Sequence, residues 1–303
     1  MSAFSGVIPP IITPLTPQGA IDTRSLEAVV RRQLEAGVDG IFALGSSGEG
    51  VYLRDEDRKQ VIDVVTGCVS RSVPVFAGAV EATTQRVIDQ VVWLERAGVD
   101  VLVVTAPFYA NVTSAETVRH FKLVAASSRL PVFAYDIPAN VGRKLAAATA
   151  IELLNDRVVA GLKDSSGDMG QFAEVIAALG PNRKASILTG ADTGALQALD
   201  AGADGIVPGI ANIEPRLFVD LVASYRDGRR ADCRRLQNSI TALTEVFAVG
   251  ERRGIGRHAS ELGGLKTALH HAGVIASAAV SEPMSPYPPA ARSELLQVLG
   301  RIG

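Results

Sequence analysis

Apolar residues along this chain fall into two alternating rhythms. Short apolar runs occur at Val7–Ile12, Gly40–Leu44, Val73–Gly78, Val101–Thr105, Val132–Tyr135, Val158–Lys163, Ser186–Thr189 and Gly205–Val207. Their length and β-branched content predict buried strands. Between them apolar positions recur at helical spacing, over Thr23–Ala36, Glu56–Val69, Thr84–Ala97, Ser114–Ala126, Gly170–Leu179, Thr193–Ala201 and Glu214–Tyr225. The Ala-rich stretch between Val141 and Asn155 also reads as helix. One phrase recurs at the junctions: Ala36-Gly37-Val38-Asp39, Ala97-Gly98-Val99-Asp100 and Ala201-Gly202-Ala203-Asp204. Gly is the natural residue to end a helix in the left-handed conformation, and the Asp then opens a short loop into the next strand.

Strands alternating with helices predict βαβ units and a parallel sheet. Eight such units in about 250 residues or fewer match a (β/α)₈ barrel. A doubly wound open sheet is the runner-up, but no GxGxxG follows the first run. After Tyr225 the rhythm changes. Arg229–Glu251, Glu261–His271 and Ala290–Leu299 read as helices around a Pro-rich loop, Glu282–Pro289, with no strand of comparable strength. The expected organisation is α/β: a barrel carrying the active site over residues 1–228 and a helical appendage over 229–303.

Composition narrows the function classes. Of 303 residues, 47% are apolar and 20% charged, with a formal net charge of −2, so nothing argues electrostatically for nucleic acid or an anionic membrane. No apolar stretch approaches the roughly 18 residues of a membrane span. The N-terminus lacks the pattern of a signal peptide. The two cysteines, Cys68 and Cys233, are far apart, which fits a reducing, cytoplasmic setting better than a disulfide framework. None of His120, His258, His270 or His271 is spaced with acids as metal ligands are, so they read as surface or core residues.

Lys163 closes its apolar run, and Tyr135 closes another. A Lys among apolar neighbours is pushed toward the neutral amine, a nucleophile for carbonyls; the plainer reading is a lysine that snorkels from a strand end. In a barrel whose strands point one way, this Lys and this Tyr share the C-terminal mouth. The other lysine beside apolar residues, Lys266, sits on an appendage helix. Gly45-Ser46-Ser47-Gly48-Glu49 follows the second run. Its hydroxyls and turn N–H groups suit a carboxylate, although the same composition serves an ordinary βα loop. Pro107-Phe108-Tyr109 follows the fourth run and reads as a binding surface, a subunit contact or a packing cap.

Taken together, Pro9-Pro10-Ile11-Ile12-Thr13-Pro14, Gly45-Ser46-Ser47-Gly48-Glu49, Pro107-Phe108-Tyr109, Tyr135-Asp136-Ile137-Pro138 and Gly161-Leu162-Lys163 resemble the dihydrodipicolinate synthase / N-acetylneuraminate lyase family over nearly the whole chain. The resemblance implies a class I, Schiff-base aldolase on a (β/α)₈ barrel, assembled as a homotetramer of paired dimers, with no metal or organic cofactor. By position it implies Lys163 as the imine-forming lysine and Tyr135 as the acid/base. Ser46 would take the relay hydroxyl slot, and Ser46 with Ser47 would hold the carboxylate of the 2-oxo acid. Val207 would pack on that acid, and Tyr109 would reach into the neighbouring subunit's site.

Departures from the family pattern separate the branches. Synthases carry Arg where this chain has Asn140, and Arg143 lies three residues further on, which argues against 4-hydroxy-tetrahydrodipicolinate synthase. The sialate-lyase branch reads sugar hydroxyls with an Asp-Glu pair and a Ser. Gly190 and Asp192 match that pattern, whereas Thr193 and Gly209 do not. The leading expectation is an aldolase on pyruvate or a related 2-oxo acid and an aldehyde. A 2-oxo sugar-acid dehydratase, the synthase and a non-catalytic 2-oxo acid sensor are the alternatives.

Overall fold

A computed structural model describes residues 4–302. Eight strands form one parallel sheet: β1 Gly6–Val7, β2 Ile41–Ala43, β3 Val75–Gly78, β4 Val101–Thr105, β5 Val132–Asp136, β6 Gly161–Asp164, β7 Ser186–Thr189 and β8 Gly205–Ile206. Neighbours pair in chain order, and β8 pairs β1. The ring closes where Phe42 N–H donates to Pro9 O at 2.9 Å and Ile11 N–H to Phe42 O at 2.9 Å. The first strand is shorter than the apolar run Val7–Ile12 because Pro9 and Pro10 have no N–H to contribute to a ladder.

Helices alternate with the strands: α1 Thr23–Ala36, α2 Asp55–Val69, α3 Thr84–Leu94, α4 Ser114–Ala126, α5 Pro138–Val141, α6 Ala147–Asn155, α7 Met169–Leu179, α8 Ala195–Asp200 and α9 Pro215–Arg226. The Ala-rich segment is two helices rather than one, because Gly142 takes a left-handed φ of 72° between them. Side-chain caps start several helices. Asp22 caps α1, and Thr113 with Glu116 forms a reciprocal capping box on α4. Four further helices follow: α10 Arg230–Leu243, α11 Glu245–Glu251, α12 Arg257–His271 and α13 Pro289–Ile302. The expected helix over Arg229–Glu251 is thus broken at Thr244, and α12 begins four residues before the expected Glu261.

The barrel divides its apolar residues into two cores. One lies between sheet and helices; the other fills the barrel with Ile8, Phe42, Phe76, Val101, Val103, Phe133, Tyr135, Ile137, Leu188 and Val207. At the N-terminal end Phe4, Phe76 and Phe133 meet edge to face, with centroids 5.3–5.7 Å apart. Gly161 makes room for this plug: a Cβ there would lie 2.3 Å from Phe133 Cε1.

The repeated loop phrase has a structural meaning. Gly37, Gly98 and Gly202 all take left-handed φ, at 83°, 81° and 97°. Each following Asp then accepts an N–H from one of the first two residues of the preceding strand. Asp39 takes Val7 N–H, Asp100 takes Val75 N–H and Asp204 takes Ile187 N–H, each at 2.8 Å. Every copy stitches two adjacent strands together at the closed mouth.

Candidate active site

The C-terminal mouth holds a cavity of about 590 Å³. Strand alternation decides what enters it. Tyr135 and Lys163 are register partners on β5 and β6 and face into the barrel, whereas their neighbours Asp136 and Asp164 face away. Lys163 is the penultimate residue of β6, not the last as expected, since Asp164 still pairs with Asp136. The outward carboxylate of Asp136 accepts Leu145 N–H and Lys144 Nζ, both at 2.9 Å. Lys144 also donates to Ser166 Oγ at 2.6 Å. That network braces the two strand ends carrying the inward pair.

Lys163 is 4% exposed. Its Nζ lies 3.5 Å from the centre of the Tyr135 ring and 5.1 Å from that of Phe42. Burial pushes the ammonium below the ordinary lysine range; proximity to Tyr135, Asp192 and Asp164 opposes this without cancelling it. The consequence is an amine that loses its proton more readily than a surface lysine, at the foot of a cavity that admits a small molecule.

Ser46 and Ser47 line one wall, Gly190 and Asp192 another, and Val207 contributes an apolar patch. The walls converge near Gly209: a Cβ built there would lie 3.6 Å from Asp192 Oδ2, 3.7 Å from Phe247 Cζ and 3.8 Å from Ser47 Oγ. Burial raises the Asp192 carboxyl from 3.8 to about 7, against the opposing hydrogen bond from Ile210 N–H. Near neutral pH this side chain therefore both donates and accepts. Its backbone is tied to the appendage, because Gln237 on α10 donates to Asp192 O at 3.1 Å.

Seven of the eight residues singled out from the sequence, Lys163, Tyr135, Ser46, Ser47, Val207, Gly190 and Asp192, surround this one cavity. Tyr109 does not. It is 101% exposed with a φ of 78°, beyond a partly buried Phe108. Asn140 lines the mouth, while Arg143 does not.

The roof has no signature in the sequence. Thr244, Phe247, Glu251, Arg257, His258 and Glu261 reach the cavity from α10–α12 and their connections. His258 stacks on Tyr52, with centroids 5.8 Å apart, and burial holds its imidazole below the usual range. Arg257 is engaged by Glu261 at 3.1 Å. No motif marks these positions. The i, i+1, i+4 spacing of Arg257, His258 and Glu261 hints at a shared helix face but not at what it meets. Among the described residues, no group of three or more His, Cys, Asp or Glu is placed to hold a metal ion, and no helix is long and apolar enough to cross a membrane.

Comparison with known proteins agrees with this architecture. The profile of the Dihydrodipicolinate synthetase family matches residues 3–302. A DapA-like lyase of Halobacterium salinarum is 30% identical over 269 residues, 87% of this chain and 88% of its own. YagE of Escherichia coli K12, provisionally named a 2-dehydro-3-deoxy-D-gluconate aldolase, is 31% identical over 80% of this chain and 82% of its own length. The 4-hydroxy-tetrahydrodipicolinate synthase of Hyphomonas neptunium is 29% identical over 86% of this chain and 89% of its own. The crystal structure of YagE with pyruvate superposes with a TM-score of 0.92, at 28% identity and covering 99% of each chain. The fold is the (β/α)₈ barrel with C-terminal helices. The chain belongs to the dihydrodipicolinate synthetase family, as a Schiff-base lyase of the class I aldolase type.

Proposed function

We propose that Lys163 carries the reaction, forming an imine with C2 of pyruvate or a related 2-oxo acid whose carboxylate rests on the Ser46–Ser47 turn. The observation that carries this reading is the desolvated amine of Lys163 at the foot of a cavity walled by those two serines. The neutral amine adds to the carbonyl, and the carbinolamine takes up one proton from solvent as its hydroxyl leaves as water, giving a protonated imine. That cation stabilises the enamine formed when C3 loses a proton or when the C3–C4 bond breaks. Tyr135 moves the proton at the C4 hydroxyl, an acid/base role that needs hydrogen-bond reach. All the covalent chemistry is supplied by lysine and substrate, so no cofactor is invoked.

The second substrate is proposed to be a neutral, hydroxylated aldehyde, such as the cleavage of a deoxy sugar acid releases. Asp192, Thr193, Glu251 and Glu261 offer acceptors and donors for hydroxyls, and the one roof arginine is already engaged by Glu261. Aspartate semialdehyde instead brings a carboxylate, and Asn140 cannot give it the bidentate, charge-assisted grip of an Arg. Weak synthase activity follows, improved by Asn140→Arg; ordinary synthase efficiency in the natural protein would overturn the assignment.

Borohydride reduction in the presence of pyruvate, followed by peptide mass spectrometry, tests the core of the reading. The adduct is expected on Lys163; label on Lys266, or none, defeats it. We propose also that the protein works as a homotetramer of paired dimers in the cytoplasm, with Tyr109 completing a neighbour's site through Ser46. Full exposure of that ring in the isolated chain supports this. Mixing inactive Tyr109→Phe and Lys163→Ala subunits should recover some activity, since one hybrid site has both groups intact. No recovery in verified hybrids argues against sharing.

A further inference from the structure

Outside the reacting cavity, Glu49 and Lys266 are each 0% exposed, and they form an ion pair with one another. They join parts of the chain far apart in sequence. Glu49 ends the turn that carries both serines: its N–H donates to Ser46 O at 3.0 Å, and Gly50 N–H donates to Gly45 O at 3.2 Å. Thr13 Oγ1 holds Gly48 O at 2.7 Å. Glu49 sits at a φ of 56°, in the left-handed region where glycine alone is unstrained. A glutamate persists in such a conformation when its surroundings over-determine it.

The surroundings here are the appendage. Glu49 Oε1 accepts Ser281 N–H at 2.7 Å, and Lys266 Nζ, besides facing the carboxylate, donates to Ala279 O at 2.8 Å. Burial pushes the Lys266 ammonium down and Glu49 draws it back up. A buried ion pair is a poor device for stability alone, since an apolar pair of similar volume generally serves as well or better. It does specify geometry, because charge, hydrogen bonds and a strained turn agree on one arrangement only.

We propose that the Glu49–Lys266 pair is a positioning element that sets the Ser46–Ser47 turn in the shape that receives the 2-oxo acid's carboxylate. This rests on the roles given to Lys163 and the serines under Proposed function. The pair touches no reacting atom. Its effect is on binding of the carboxylate, which is held alike in ground and transition states, so affinity should change and the maximal extent of reaction should not.

The test is borohydride trapping as a function of pyruvate concentration, on the full chain. In the double variant Glu49→Gln with Lys266→Met, Gln keeps an acceptor for Ser281 and Met keeps the stem, so no unpaired charge is buried. Half-saturating pyruvate is expected to rise about tenfold or more, with labelling at saturation unchanged, as for loss of a charge-assisted contact. Glu49→Asp, which retains the charge, should lie nearer the natural protein. A folded double variant, judged by circular dichroism and melting, whose half-saturation stays within about twofold of the natural protein overturns the proposal and leaves a plain staple. Absence of label on Lys163 in the natural protein removes the underlying reading instead. Should the double variant not fold, hydrogen exchange on the natural protein decides. The pyruvate adduct should slow exchange of the Ser281 amide, and unchanged exchange there overturns the coupling.

Discussion

The two mouths of the barrel are built on opposite plans. At the N-terminal mouth one device is used three times, with Asp39, Asp100 and Asp204 each accepting an N–H near the start of the preceding strand, over a plug of Phe4, Phe76 and Phe133. At the C-terminal mouth the βα loops differ, a buried lysine has lost part of its affinity for a proton, and Asp192 titrates near neutrality. Stability and chemistry thus occupy different ends of the same strands. Repetition suits a task that is the same for every strand, whereas a site needs different groups from each.

Substitutions at the two mouths should therefore differ in effect, and equal effects would mean that the two ends do not divide the work. The largest expected effect is that of Lys163→Ala. Turnover should fall about 10⁴-fold or more and borohydride trapping should vanish, while the melting temperature holds or rises because a buried amine is removed. A marked fall in melting temperature would mean that the lysine is structural. Tyr135→Phe comes next, with turnover lowered about 10²- to 10⁴-fold, the usual worth of a positioned acid/base. The ring beneath Lys163 remains, so pyruvate should still be trapped; loss of both would assign the hydroxyl to imine formation as well.

At the other mouth the sign reverses. Asp39→Ala should cost about 1–2 kcal/mol of stability through the lost acceptor, with turnover per folded molecule unchanged. Combined with Asp100→Ala the losses should add, because the two act on separate strand pairs. Urea denaturation with a parallel assay checks both halves, and reduced activity in fully folded Asp39→Ala would blur the division. A separate effect concerns pH. The folded Asp192 carboxyl is raised to about 7 from 3.8, so the folded state holds that proton more tightly than the unfolded chain. The resulting stability is present in full below about pH 4 and is lost as pH rises through about 7. Asp192→Asn should flatten that part of the stability profile, measured by denaturation midpoints near pH 5 and pH 8.

Much of this architecture is legible in the amino-acid sequence. The alternation of runs and helices announces the barrel, and Gly37, Gly98 and Gly202 announce their helix ends, because a left-handed terminus favours glycine whatever surrounds it. Lys163 and Tyr135 can be placed at one mouth because parallel strands share a direction. The pattern misleads where a local signal meets a non-local demand. Val7–Ile12 looks like one strand, but only Val7 of it belongs to the two-residue strand Gly6–Val7, and beyond its prolines a pair of closing hydrogen bonds takes over. Arg229–Glu251 looks like one helix, but it turns at Thr244, beside the cavity.

What the sequence by itself determined is therefore whatever rests on short-range physics: the period of the apolar positions, the caps, the glycine termini and the order in which chemical groups reach the strand ends. Only the tertiary structure decided which distant groups meet. His258 and Glu261 have no local sign of belonging to a cavity; they reach it because α12 packs over the mouth. Asp39, Asp100 and Asp204 stand out as a repeat, yet the strand each one binds is known only once the sheet is ordered. Glu49 and Lys266 read in sequence as a loop acid and a helix lysine. Folding buries both, and two charges withdrawn from water must find each other, since neither can remain there alone.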